Sequence, residues 1–253
     1  MSAPSTKSLS GSAFATLLLI AFMMGANHVA ARLAFDHGVS VSTAVLFRSG
    51  ATALVVWLIV RMAGVPLNLP AGQKRALLKI GALISVQSLC LYSAVARLPV
   101  ALALLAFNTY PLWTALWART LKAERVEPAL LRAMPVLLLG LALALDVAGA
   151  ASGLGASAHW GRIGAGVAFA LAAAASFGLA LVFTQHETVG LDGRVRTAAT
   201  MAIVALAALV GVAGQGGWSL PQAPAGWWGL LGLTVLYGTA FTIMFTVLPK
   251  LGV

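Results

Sequence analysis

Arg48 stands about seven residues inside a hydrophobic stretch that opens near Ser42, deeper than a boundary residue. A cation at that depth is costly in hydrocarbon and needs a partner or a task. Its planar guanidinium could clasp a carboxylate through two parallel hydrogen bonds. Its long stem could equally carry the charge outwards, or it could pair with Asp36 or Asp146, which fall near the same membrane face. Asn27 and His28 are a polar pair in the preceding stretch, suited either to lining a cavity or to joining helices by hydrogen bonds. His28 also titrates near neutrality and could move a proton beside a cargo. Gln87, Ser88 and Tyr92, with Asn108, Thr109 and Tyr110, make a second polar set around the third and fourth stretches. Gln87, Cys90 and Tyr92 cannot share one helix face, so only a subset can meet a cavity. Asn108 and Trp113 flank Pro111, whose missing N–H and ring clash loosen a helix. Phe177, Tyr237 and Phe241 are aromatic candidates in the second half, with packing as the competing role. The substrate-binding candidates are therefore Asn27, His28, Arg48, Gln87, Tyr92, Asn108, Trp113, Phe177 and Tyr237.

Other chemistries lack their residues. No Ser/His/Asp set, no HExxH and no pair of carboxylates within a hydrophobic stretch supports catalysis. GxxxxGK[ST] is missing, so nucleotide binding has no loop to rest on. The single cysteine, Cys90, offers neither a disulfide framework nor metal-site spacing, and the expectation is no metal, no cofactor and no enzyme activity. The net charge of +10 comes from cations scattered through short loops, without the aromatic interleaving that single-stranded nucleic acid needs.

The elements that must position these residues are membrane spans. The chain is 60% hydrophobic and 9% charged, against roughly a quarter charged for soluble domains. Because about 20 apolar residues cross a bilayer as a helix, eight spans are predicted: Ala13–Phe35, Ser42–Met62, Ala76–Ala96, Ala101–Leu121, Ala129–Ala148, Ile163–Phe183, Thr197–Val212 and Gly226–Leu248. The first is long and the seventh short, so tilt or a broken helix is expected there. A retained first helix fits the start better than a cleaved signal peptide. A cytoplasmic N-terminus puts most Lys and Arg inside and leaves Arg32, Arg97 and Arg162 near the outside, as the positive-inside rule requires. Trp218, Trp227 and Trp228 then flank the eighth span at the outer boundary.

The chain also repeats itself. LYSAVARLPV, from Leu91, is echoed by MFTVLPKLGV, from Met244, at an offset of 153 residues that also sets Gly25 on Gly178. A five-span unit gives a first copy at 13–150 and a second at 163–253, with 1–12 as a cytoplasmic N-terminus and 151–162 as a linker. An odd number of spans inverts the second copy, the plan in which substrate sites form near the midplane between halves.

MGANHVAARLAFDHGVSVSTAVLFRSGATALVV, with its glycine-small-Asn run and an Arg in the second helix, resembles the first two helices of the EamA family of the drug/metabolite transporter superfamily. LYSAVARLPVALALLAFNTYPLWTALWARTLKAERV is similar to that family's third and fourth helices, joined by a very short turn, with Pro111 in the fourth and Glu124 after it. The resemblance runs over essentially the whole chain. It implies ten helices in two five-helix repeats and the export of amino acids, other metabolites or toxic compounds. Met24 stands where the family often has Trp, and counterparts of helices nine and ten are missing. The expected fold is thus an all-α polytopic membrane protein of inverted five-helix repeats, with eight transmembrane helices of an expected ten. The expected function is a secondary transporter exporting a small metabolite such as an amino acid by alternating access. It would lie in a bacterial-type inner membrane, bind a small-molecule substrate and, through His28, use protons. The alternative is a truncated or subunit-type membrane protein that does not transport as a monomer.

Overall fold

The computed structural model describes residues 10–67, 69–122, 128–146, 148–151, 153 and 155–246. The echo MFTVLPKLGV lies mostly outside them, as do Glu124, Arg125, Glu127 and Lys250.

Among the described residues the chain is all-helical: α1 Gly11–Asp36, α2 Val41–Met62, α3 Ala71–Val95, α4 Val100–Phe107, α5 Tyr110–Lys122, α6 Pro128–Ala144, α7 Ala156–Glu187, α8 Gly193–Gly214 and α9 Pro224–Thr246. Seven segments, with α4 and α5 taken as one, are long and apolar enough to cross a membrane, and α6 contributes a shorter apolar helix. Backbone polar groups in lipid must be satisfied within the helix, and a mean hydropathy of +0.96 leaves few other ways to shelter them. The protein is a multi-pass membrane protein.

The ends are set by local chemistry. Ser10 caps α1 by accepting from the Ala13 N–H, and Ser40 caps α2 by accepting from the Thr43 N–H. Three expectations need correction. The long first span is one unbroken helix. The break falls in the fourth, where α4 stops at Phe107 and α5 starts at Tyr110. Pro111 has no N–H to offer the Phe107 carbonyl and its ring crowds that oxygen, so the helix gives way one turn upstream. At the break the Ala106 carbonyl accepts from the Thr109 hydroxyl at 2.8 Å, and the Leu112 N–H reaches Thr109 O at 2.9 Å. Lastly, α7 begins at Ala156, inside the expected linker, and α8 is longer at both ends than the short seventh span.

Helix limits recur at the offset seen in the sequence, Ala71 opening α3 and Pro224 opening α9. The largest packing partnerships are α2 with α8, α3 with α7 and α1 with α9. Shifting by the offset carries α3 onto α9 and α7 onto α1, so the second and third partnerships exchange while α2 with α8 maps onto itself. Small residues bring these helices close. A side chain at Gly229 would meet the Ala34 backbone nitrogen at 2.6 Å, and one at Gly178 would meet Thr114 N at 2.7 Å. In α1, Phe14, Leu18, Phe22 and Val29 face outwards, as lipid-facing apolar residues do.

Candidate functional site

The deepest polar residues converge from four helices. Asn27 on α1 is fully buried, Arg48 on α2 is 3% exposed, and Ser88 and Tyr92 on α3 are buried beside them. Tyr92 lies at the centre. Its hydroxyl donates to Asn27 Oδ1 at 2.6 Å and accepts from Arg48 Nη1 at 3.3 Å. Arg48 Nη2 donates to Ser88 Oγ at 2.9 Å, and Ser88 in turn donates to Gln87 Oε1 at 3.3 Å. The guanidinium is held between two rings, 4.7 Å from the Tyr92 centroid and 4.0 Å from that of Tyr237 on α9. Attraction between a desolvated cation and aromatic faces offsets part of the cost of burying it.

The charge is not balanced by an acid. No carboxylate of a described residue pairs with Arg48, and the expected partners are engaged elsewhere. Asp36 holds Arg32 at 2.9 Å, the i,i+4 spacing that favours a local pair. Asp146 Oδ1 accepts from the Ala151 N–H at 3.1 Å. Outward snorkelling is likewise excluded by the burial of the whole side chain. Arg48 Nε has no partner, and neither has Nε2 of His28, whose ring lies 5.7 Å from that of Tyr92. The 2.7 Å contact of His28 Nδ1 with the Met24 carbonyl is a hydrogen bond when that nitrogen carries a proton, and in the neutral ring Nε2 is then an acceptor. The cluster thus offers unused donor capacity on Arg48 and an unpartnered ring nitrogen on His28 within one buried region.

Asn27, His28, Arg48, Gln87, Tyr92 and Tyr237 therefore come together. Asn108, Trp113 and Phe177 form a separate group. Asn108 ends α4 and is exposed. Trp113 stacks on Trp117 in α5 at 6.4 Å, and Phe177 of α7 meets Phe107 and Tyr110 at 5.6 and 5.1 Å on either side of the helix break. Met201 escaped the sequence reading. It accepts the Tyr237 hydroxyl on its sulfur at 3.7 Å, and it sits at the repeat offset from Arg48. The offset was the signal that could have found it: the position that carries a cation in the first half carries a thioether in the second. Among the described residues no group of His, Cys, Asp and Glu could hold a metal ion.

A bundle of membrane-spanning helices with a buried, acid-free cation at its centre is an arrangement that helical membrane transporters use. The EamA-like transporter family model matches residues 11–145, and the chain belongs to that family, part of the drug/metabolite transporter superfamily. No curated protein matches the chain.

Proposed function

We propose that this transporter is a secondary exporter of a small metabolite, an amino acid being the first candidate. It would work by alternating access between two related halves, with its N-terminus on the cytoplasmic side of a bacterial-type inner membrane. The observation that carries the reading is the buried, acid-free Arg48, bound by residues of α3 and by Tyr237 of α9. A negatively charged group entering the cluster would meet donors already desolvated and oriented. Tyr237 supports the coupling of that event to movement, because its ring contacts Arg48 of α2 while its hydroxyl donates to Met201 of α8. The cations Arg61, Lys74, Arg75, Arg119, Lys122 and Arg194, at one end of the bundle, support the orientation. The unpartnered Nε2 of His28 supports proton coupling.

The test is counterflow of labelled amino acids in proteoliposomes, with and without a pH gradient. Uptake that needs the protein and responds to the gradient is expected. Uptake indifferent to the gradient removes the proton claim, and no protein-dependent uptake of any labelled metabolite removes the transporter's proposed cargo.

A second reading, that the chain completes its cavity with another subunit, is favoured by Gly25. Its repeat mate Gly178 is packed against the backbone of α5, whereas nothing lies within 4 Å of a side chain built at Gly25. Disulfide trapping between chains carrying Phe22→Cys distinguishes the two: cross-linked dimers in native membranes support the subunit reading, and monomers at full activity dismiss it.

A further inference from the structure

Between α2 and α8 the bundle keeps an apolar cavity of about 400 Å³. Its α8 wall is low, made by Val195, Ala198, Ala199 and Ala202, while Leu54 and Trp57 of α2 stand at its exposed edge and Leu67 of the following segment adds to the lining. Small residues on α8 opposite large ones on α2 leave an apolar recess whose outer edge, at Leu54 and Trp57, is exposed.

The chemistry of the mouth narrows the occupant. The guanidinium carbon of Arg61 lies 5.7 Å from the Trp57 ring centroid, so a cation rims the recess. Lys74 and Arg75 follow in the first turns of α3, just after Leu67 and Leu69 of the lining, and both are exposed. None of these three cations is paired with a carboxylate of a described residue, and the described acids at this end, Glu187 and Asp192, are engaged by Lys79 and Arg194. An apolar slot that ends in unpaired positive charge matches an amphiphile with one or more acyl chains and a net negative headgroup. A zwitterionic lipid brings its own ammonium to the same phosphate and gains less from the cations.

We infer that the α2–α8 recess binds one anionic phospholipid, with an acyl chain between the helices and its phosphate against Arg61, Lys74 and Arg75. The lipid bears on both helices of the one packing pair that maps onto itself under the repeat offset. Its binding does not depend on which cargo the protein carries.

The test places the full-length chain in nanodiscs of equimolar phosphatidylglycerol and phosphatidylcholine, then counts by native mass spectrometry the lipid retained after detergent transfer. Phosphatidylglycerol is retained in preference. Arg61→Gln and Lys74→Gln each weaken its retention roughly fivefold, the scale of one basic side chain beside an anionic lipid. Ala198→Leu with Ala202→Leu fills the slot and loses the lipid while all three cations remain. Equal retention of the two lipids by the wild-type chain overturns the inference, as does unchanged retention in the charge variants. Should the filled variant not fold, quenching by chain-brominated phosphatidylglycerol replaces it. Trp57→Phe must then remove a share of the quenching in the wild-type chain, and equal quenching of Trp57 by brominated phosphatidylcholine overturns the site.

Discussion

The guanidinium of Arg48 rests 4.0 Å from the centre of the Tyr237 ring, which joins α2 to α9 across the core. The ring supplies attraction and cover, while the hydroxyl is turned to Met201. Separating the two contributions gives the first prediction. Tyr237→Phe keeps the ring on the cation and should unfold within about 1 kcal/mol of the wild-type chain, since it loses one weak bond to sulfur. Tyr237→Leu removes the aromatic face from a desolvated cation and should cost about 2 kcal/mol or more. Thermal unfolding in detergent measures both, and equal losses would show that the ring does not hold Arg48.

Arg48→Lys tests the fork rather than the charge. Lysine cannot reach Tyr92 and Ser88 together with one ammonium in the geometry that the planar guanidinium allows. Transport should fall at least about tenfold, a loss of roughly 1.4 kcal/mol, while Arg48→Gln should abolish it. Wild-type rates in Arg48→Lys would reduce the site to a requirement for positive charge.

Gly178 and Gly25 occupy equivalent places in the repeat and should respond differently to one substitution. A methyl group at Gly178 would press on the backbone of Thr114 and Trp113, which cannot rotate away, whereas at Gly25 it meets open space. Gly178→Ala should therefore destabilise by about 1–3 kcal/mol, the cost of overpacking a tight contact. Gly25→Ala should be neutral or slightly stabilising, because alanine is the better helix former by about 1 kcal/mol. Parallel melting curves decide it.

Much of this arrangement is legible in the sequence, and the illegible part has physical reasons. Long apolar runs announce their spans because lipid permits only satisfied backbones, so α2, α3 and α9 begin and end within a few residues of expectation. Pro111 announces a weak point, but the helix breaks upstream of it, between Phe107 and Tyr110. The start of α7 is hidden because its first turns, ASAHWGR, are small and polar and resemble a connection. Within the site, Asp36 is taken by Arg32, which leaves Arg48 without that partner, although the sequence alone left Asp36 open to Arg48. The meeting of Arg48 with Tyr237 is different: it depends on how α9 crosses α2, which no local pattern records.

Arg32 performs a structural task that its place near a membrane boundary does not suggest. Its Nη1 donates to the carbonyls of Val95, Ala96 and Leu98 at 3.1, 3.3 and 3.4 Å, where α3 runs out of intrahelical donors, while Nε holds Asp36. Arg32→Ala should cost about 1.5–3 kcal/mol, the worth of hydrogen bonds from a charged donor. Arg32→Lys should recover only part of it, since one ammonium cannot span the carbonyls and Asp36. Hydrogen exchange at Ala96 and Leu98 would report the loss locally, and unaltered exchange in Arg32→Ala would show that water serves these carbonyls as well.

Asp192 gives the pH dependence its sign. It caps α8 by accepting from the Arg194 N–H at 2.8 Å and pairs with the Arg194 guanidinium at 2.7 Å. The hydrogen bonds from Arg194 hold its carboxyl below the usual carboxylate range. A carboxyl whose folded pKa is depressed stabilises the fold fully above its unfolded pKa, near 3.9, and that contribution is lost as pH falls through the folded value. Stability from this group should therefore be flat from neutrality down to about pH 5 and decline below about pH 4. The pair is partly exposed, so most of the effect resides in the cap rather than in the ion pair. Asp192→Asn retains an accepting oxygen for the helix end and should lose well under 1 kcal/mol, while Asp192→Ala should lose about 1 kcal/mol. In both variants the Asp192 share of the acid-dependent decline disappears, and a decline of the same size in Asp192→Ala would assign it to another carboxylate.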